Sequence, residues 1–255
     1  MLEPRMGIII FARMSSSRLP GKMLLPLGPT TLFDRIIDRA RLLDTEMLLA
    51  TSDQEGDDLL VERANEIDLP VFRGSLDNVL GRAVGAANHA EFDAFCRLCG
   101  DRPFMPLDDM ARGIEIMRDS FARGNPFDLV TTHLPASAPK GLCTEIVRTT
   151  ALSDLREKST TAAEREHVTT GFYSAPDKYR ICALETAHRD YSSLNFSVDE
   201  AEDLELMSQA IAAHPAPGVP VSVAAQWIAR KQLVTCRAVS ERHGSETGKV
   251  PGEAS

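Results

Sequence analysis

At 255 residues the chain is long enough to bury a sizeable core in one main domain. Its 37 acidic residues against 28 basic ones leave no surplus of Lys and Arg to displace counterions, which excludes nucleic-acid backbone binding and points to small-molecule partners. No run approaches the roughly 20 apolar residues of a bilayer span and no long apolar leader stands at the start, so a cytoplasmic protein away from membranes is expected.

Ile8 to Phe11 has the length and β-branching of a buried strand, and it breaks into a polar loop carrying Arg13, Ser15, Ser16, Ser17, Arg18 and Lys22. No carboxylate occurs from Pro4 to Phe33, so this loop is a cationic island in an acidic chain. It reads either as a solvated basic loop or as an anion site, with Pro20 and Gly21 tightening the backbone before Lys22 and serine hydroxyls able to bond phosphate oxygens. Leu32, Ile36, Ile37, Ala40 and Leu43 fall at helical spacing behind Thr30 and Thr31, either of which can cap.

Met47 to Ala50 reads as a strand ending at Thr51, Ser52 and Asp53, and Leu59, Leu60, Ala64 and Ile67 as a helix. Val71 to Arg73 (strand), Val79 to His89 (helix), Phe95 to Leu98 (strand) and Leu107 to Arg118 (helix) continue the alternation. Such alternation predicts an α/β, doubly wound, mainly parallel mixed sheet, in which ligands sit beyond the carboxyl ends of the strands. Those ends carry Arg13, Thr51, Ser52, Arg73 and Asp101.

The second half is less regular. Strands are predicted at Asp128 to Thr132, Thr144 to Val147, Arg180 to Leu184 and Phe196 to Val198, and helices at Thr150 to Lys158 and Ala163 to Tyr173. A loop covers Pro135 to Pro139, and Leu204, Met207, Ile211, Val223, Trp227 and Ile228 have helical spacing. Residues 1–237 are taken as one domain, with 133–195 a less regular portion and 238–255 a disordered tail. The five cysteines fit reduced thiols, and the pair Cys96 and Cys99 lacks a second ligand pair and reads as core.

Asp101 and Asp199 each lie just past a predicted strand. Two carboxylates on rigid strand ends suit Mg²⁺, although Asp199 also stands where a helix N-cap would be. Arg73 reads as a base contact or a snorkelling surface cation, Arg82 as a site arginine or an exposed helical cation, and Glu145 as an acceptor contact or a surface charge. Arg165 and His167 fall on different faces of a predicted helix.

The loop, read as ARMSSSRLPGK, closely resembles the opening of the sugar-acid cytidylyltransferases, above all the branch related to spore-coat polysaccharide protein F. Similar segments follow in order: CGDRPF at Cys99 to Phe104, PKGLCTEIV at Pro139 to Val147, REHVT at Arg165 to Thr169, and VDEAEDLE at Val198 to Glu205. The resemblance implies a nucleotide-diphospho-sugar transferase (Rossmann-like) fold and a Mg²⁺-dependent transfer of CMP from CTP to a sugar acid, phosphosugar or related polar acceptor, by a homodimer. It implies Arg13, Lys22 and Asp101 as catalytic residues and Asp101 and Asp199 as metal ligands. Nucleotide contacts would come from Ala12, Arg13, Ser17, Arg18, Lys22, Ala50, Thr51, Ser52, Arg73 and Arg82, and acceptor contacts from Glu145, Arg165 and His167. Departures from the family pattern gather on the acceptor side, where Pro106, Gly81 and Cys143 stand for acidic residues. A glycosyltransferase of similar fold and a catalytically silent nucleotide-binding protein are the rival readings; the absence of a DxD motif and the presence of RLPGK speak against the first.

Overall fold

A computed structural model describes residues 3–134, 138–159 and 161–232. In chain order the elements are β1 (Met6–Phe11), the small hairpin β2 (Pro26–Leu27) and β3 (Thr30–Thr31), α1 (Leu32–Ala40), β4 (Glu46–Ser52), α2 (Asp58–Glu66), β5 (Val71–Gly74), α3 (Val79–His89), β6 (Ala94–Cys99) and α4 (Leu107–Ala122). There follow β7 (Leu129–Thr131), β8 (Glu145–Arg148), α5 (Thr149–Lys158), α6 (Ala162–Glu166), α7 (Thr170–Ser174), β9 (Ile181–Ala183), α8 (Ala201–Ala213) and a helical stretch over 221–232.

Seven strands form the main sheet in the order β5-β4-β1-β6-β8-β7-β9. β1 pairs in parallel with both β4 and β6, and β4 with β5, so their carboxyl ends share one edge. β8 runs antiparallel to its neighbours β6 and β7. The centre of the sheet is covered on both faces, which is why β1 reads as unbroken isoleucine. Ile8 and Ile10 pack toward α1, α4 and α8, while Ile9 packs toward α3 and α5. Each of these fully buried side chains contributes about 1.5–3 kcal/mol relative to an exposed one.

Thr31, not Thr30, caps α1, its hydroxyl accepting from the Asp34 amide. Two arginines of α1 lie inside the fold: Arg39 donates to the carbonyls of Met105 and Val219, and Arg35 to that of Pro215, clasping the segment before the last helix.

Several expectations are corrected. α4 runs on to Ala122, and the expected single helix over Ala163 to Tyr173 is broken into α6 and α7. The break falls at His167, which is extended (φ −103°, ψ 94°), and it lets Val168 and Thr169 turn inward to burial. Phe196 to Val198 is buried but forms no strand; its amides at Phe196 and Val198 bond the carbonyls of Lys140 and Asp101 instead. The expected tail over 238–255 and most of the Pro135 to Pro139 loop lie outside the described residues. No helix of the described residues is long and apolar enough to cross a membrane.

Candidate active site

Where β1 ends, the chain makes a wide loop and turns back at Gly21, whose φ of +71° is the left-handed conformation a side chain resists. The Gly21 amide closes on the Met14 carbonyl at 3.0 Å, which sends Lys22 inward. Lys22 Nζ donates to the Val198 carbonyl at 2.6 Å and lies 3.6 Å from Asp199 Oδ1.

Asp199 reaches the same place from the other end of the chain. The Val198 amide donates to the Asp101 carbonyl at 2.8 Å, so the residues after β6 and before α8 are joined main chain to main chain. That bond brings the two aspartates together. Asp199 is not the cap of α8: Glu200 holds that position, in a reciprocal pair with Asp203. The Asp199 carboxylate is instead ringed by cations, with Arg18 Nη2 at 3.2 Å and Lys140 Nζ at 2.8 Å. Burial acts to raise its pKa, but the hydrogen bond from Lys140 and the charges of Lys22, Lys140 and Arg18 outweigh burial and hold it below the ordinary value.

These residues line a cavity of about 270 Å³ that takes in Ala12, Arg13, Ser17, Arg18, Lys22, Asp101 and Asp199. Arg13 and Arg18 are exposed at its rim. Asp101 Oδ1 is buried and has no hydrogen-bond partner, an orphaned acceptor that costs free energy unless something electropositive meets it. Two hard carboxylate oxygens, one of them unpartnered, fit a magnesium-type cation that takes its remaining oxygens from water and phosphate.

Beside this cavity, at the ends of β4 and β5, stand the residues expected to surround a base. Ala50 is packed in the core, and the Thr51 and Ser52 hydroxyls both donate to Asp57, as does the Ser52 amide at 3.0 Å. Asp57 also receives the Met14 amide at 2.6 Å, so one buried carboxylate ties the phosphate-type loop to β4. Burial raises its pKa, and the bonds from Ser52, Met14 and Thr51 more than reverse that. Arg73 braces the turn after β4 through the carbonyls of Ser52 and Gln54 and the carboxylate of Asp58. Arg82 is buried, contrary to the exposed alternative, and donates to the Ser75 carbonyl at 2.7 Å. Burial, then the charge of Arg13, lowers its pKa.

A second cavity of about 470 Å³ adjoins the first and is lined by Arg97, Arg102, Lys140, Glu145, His167 and Tyr173 among others. Glu145 is 3% exposed, so the surface-charge alternative fails. Its two oxygens accept from Arg97 Nη1 at 2.6 Å and Tyr173 Oη at 2.7 Å. Burial opposes ionisation, but the Arg97 charge and the bonds from Tyr173 and Thr169 keep the carboxyl ionised, with its pKa below the ordinary range. His167 lines this cavity, whereas Arg165 is exposed on α6 and lines neither.

Sequence reasoning missed Asp57, Arg97, Arg102, Tyr173 and Lys140. One signal was available: Arg97 is the lone charge of β6 and Glu145 the lone acid of β8, and two adjacent buried strands accommodate such opposite charges by pairing them. Cys96 is buried in the core, and Cys99 and Cys143 line the first and second cavities. Among the described residues Asp108, Asp109 and His188 also stand within 4.8 Å of one another. His188 is bonded to Asp108 at 3.0 Å, and the Thr186 hydroxyl donates to Asp109 at 2.7 Å, fastening the segment after β9 to the head of α4.

A mainly parallel sheet whose first strand feeds a cationic, glycine-turned loop facing two aspartates marks this chain as an enzyme of the nucleotidyltransferase class. More narrowly, it belongs to the cytidylyltransferase family, whose profile matches residues 7–213. It is 34% identical over 208 residues to the spore coat polysaccharide biosynthesis protein SpsF of Bacillus subtilis, covering 77% of this chain and 82% of that one. An uncharacterised protein of Methanocaldococcus jannaschii is 29% identical over 202 residues, covering 78% of this chain and 79% of its own. Among solved structures, a cytidylyltransferase from Leptospira borgpetersenii superposes with a TM-score of 0.83 at 25% identity, over 91% of this chain and 96% of that one. The fold is shared too with CMP:2-keto-3-deoxy-manno-octonic acid synthetase complexed with CTP, at a TM-score of 0.63 and 18% identity, covering 82% of this chain and 99% of that one.

Proposed function

We propose that this cytidylyltransferase moves CMP from CTP to a sugar acid, phosphosugar or related polar acceptor, releasing pyrophosphate, in the building of a surface polysaccharide. The observation that carries the reading is the meeting of Lys22, Asp101 and Asp199 in one cavity beneath an acid-free loop. In this reading Arg13, Arg18 and Lys22 neutralise the triphosphate, and the loop serines and amides bond its oxygens. Asp101 and Asp199 would hold Mg²⁺, which would supply charge neutralisation at the phosphates. An acceptor oxygen attacks the α-phosphorus in line and pyrophosphate departs toward Arg13 and Arg18.

Because Ala50 is packed away and the Thr51 and Ser52 hydroxyls and the Ser52 amide are committed to Asp57, base recognition on that side rests on the main chain at Ala12 and on the second lone pairs of carbonyls at the end of β4, with Arg73 and Arg82 holding the backbone in place. The acceptor enters the second cavity, between Glu145 and His167. The named role of the Bacillus subtilis relative supports the polysaccharide assignment. A cytoplasmic location and a homodimer follow from the same reading, the dimer being checked by light scattering of the purified protein.

The test is pyrophosphate release from CTP and Mg²⁺ over a panel of sugar acids and sugar phosphates. Turnover with at least one acceptor, lost on omitting Mg²⁺, is expected. CTP binding without turnover across the panel would contradict the transfer reaction.

A further inference from the structure

Three cations surround Asp199, and they are not held alike. Lys22 is largely buried and also bonded to the Val198 carbonyl at 2.6 Å, and Arg18 shares itself with Glu200 at 3.4 Å. Lys140 has 59% of its side chain exposed, and among the described residues Asp199 is its one ion-pair partner, at 2.8 Å through Oδ2. Lys22 and Arg18 both face the other oxygen, Oδ1. Oδ2 also accepts from the Ser197 hydroxyl at 3.3 Å, so a divalent cation that binds Asp199 through Oδ2 competes with Lys140 for its place there.

The backbone beneath Lys140 is fixed. The Phe196 amide bonds the Lys140 carbonyl at 2.8 Å, and Gly141, at φ +88°, lies so close to the facing chain that an added Cβ would stand 2.6 Å from the Phe196 carbonyl carbon. Only the side chain is free to move. It also lines the second cavity, beside Arg102, whose nearest carboxylate is Asp101 at 3.9 Å. With Glu145 matched by Arg97, the charge left over in that cavity is positive. Both leftover cations lean on the very carboxylates that suit the metal.

We propose that Lys140 is a displaceable counter-ion: it occupies Asp199 until a divalent cation arrives, and then turns its ammonium onto an anionic group of the acceptor in the second cavity. This rests on the CMP-transfer reading above and narrows the acceptor to one bearing a carboxylate or phosphate. Metal binding arms the acceptor site, so the metal precedes the acceptor. Lys140 is a positioning residue for the acceptor rather than a group that handles the reacting atoms.

The experiment measures Mn²⁺ affinity by electron paramagnetic resonance and acceptor kinetics by pyrophosphate release in Lys140→Met, Lys140→Arg and Arg123→Met, the last a distant exposed site removing the same charge. Lys140→Met is expected to bind Mn²⁺ about two- to fivefold more tightly, the worth of a partly exposed ion pair. Arg123→Met should not shift it, and the gain should vanish in an Asp199→Asn background. The KM for the anionic acceptor should rise about ten- to a hundredfold with kcat moving less, and Lys140→Arg should recover most of it. A 2-keto sugar acid and a sugar 1-phosphate form separate arms; the one whose KM depends on Lys140 identifies the anion. Unchanged or weaker Mn²⁺ binding in Lys140→Met overturns the counter-ion role, and an equal KM rise for a neutral sugar overturns anion recognition. If wild type releases no pyrophosphate in any arm, the transfer reading and the acceptor half fall together, while the Mn²⁺ arm still decides whether Lys140 guards Asp199.

Discussion

The two cavities at the carboxyl edge of the sheet are built in opposite ways. In the first, Arg13 and Arg18 stand exposed on a loop and Asp101 Oδ1 has no hydrogen-bond partner. In the second, Arg97, Glu145 and Tyr173 are already locked together on two strands and a short helix. A triphosphate with its metal brings charge enough to organise exposed cations, so the protein can leave them waiting in water at little cost. A sugar acceptor brings less charge, and its cavity has to be shaped beforehand by groups whose partners are fixed. Substitutions in the first cavity should therefore strike turnover and spare the fold, and those in the second should strike the fold as well.

The largest effect is expected from Asp101→Asn, which should lower turnover by about a thousandfold or more while thermal unfolding stays near wild type; an unfolded variant would erase the contrast. Lys22→Met should cost about a hundred- to a thousandfold in turnover, measured by pyrophosphate release at saturating CTP. On the other side, Arg97→Met strands the Glu145 carboxylate in the interior and should destabilise by about 3–5 kcal/mol in urea unfolding, with much of the loss regained in the double variant with Glu145→Met. Equal stability of the single and double variants would mean the pair is not coupled.

A smaller effect is expected at Asp57, which joins the phosphate-type loop to β4. Its native pKa lies below the ordinary 3.8, so its contribution is fully present above that value and is lost as pH falls through the native one. Asp57→Asn should therefore be less stable than wild type at neutral pH, with the gap closing in acid, as read from unfolding midpoints across pH. Smallest of all, Arg18→Gln should raise the KM for CTP a few fold, and the difference should shrink with added salt.

Much of this arrangement was legible in the sequence, for reasons that differ by region. The isoleucine run of β1 and the alternation through α4 reflect burial on both faces of a parallel sheet, a pattern local enough to read directly. The RLPGK loop was legible because its charge and its glycine turn are consecutive residues. The break at His167 was not, since the pull is the inward burial of Val168 and Thr169, a tertiary demand overriding helical spacing. Phe196 to Val198 has the composition of a strand, but its amides pair with Lys140 and Asp101, residues far off in the chain. Lys140 escaped notice for the same reason: its partner Asp199 is set by a main-chain contact that no local pattern records. The buried state of Arg82 and Glu145 likewise depends on what packs over them.

The central claim is tested most directly by anomalous diffraction from crystals grown with CTP and Mn²⁺. The account predicts a manganese peak bonded to both Asp101 and Asp199, with the triphosphate running past Lys22 toward Arg13 and Arg18. A peak at Asp108, Asp109 and His188 with none between Asp101 and Asp199, or CTP bound away from Lys22, would contradict it.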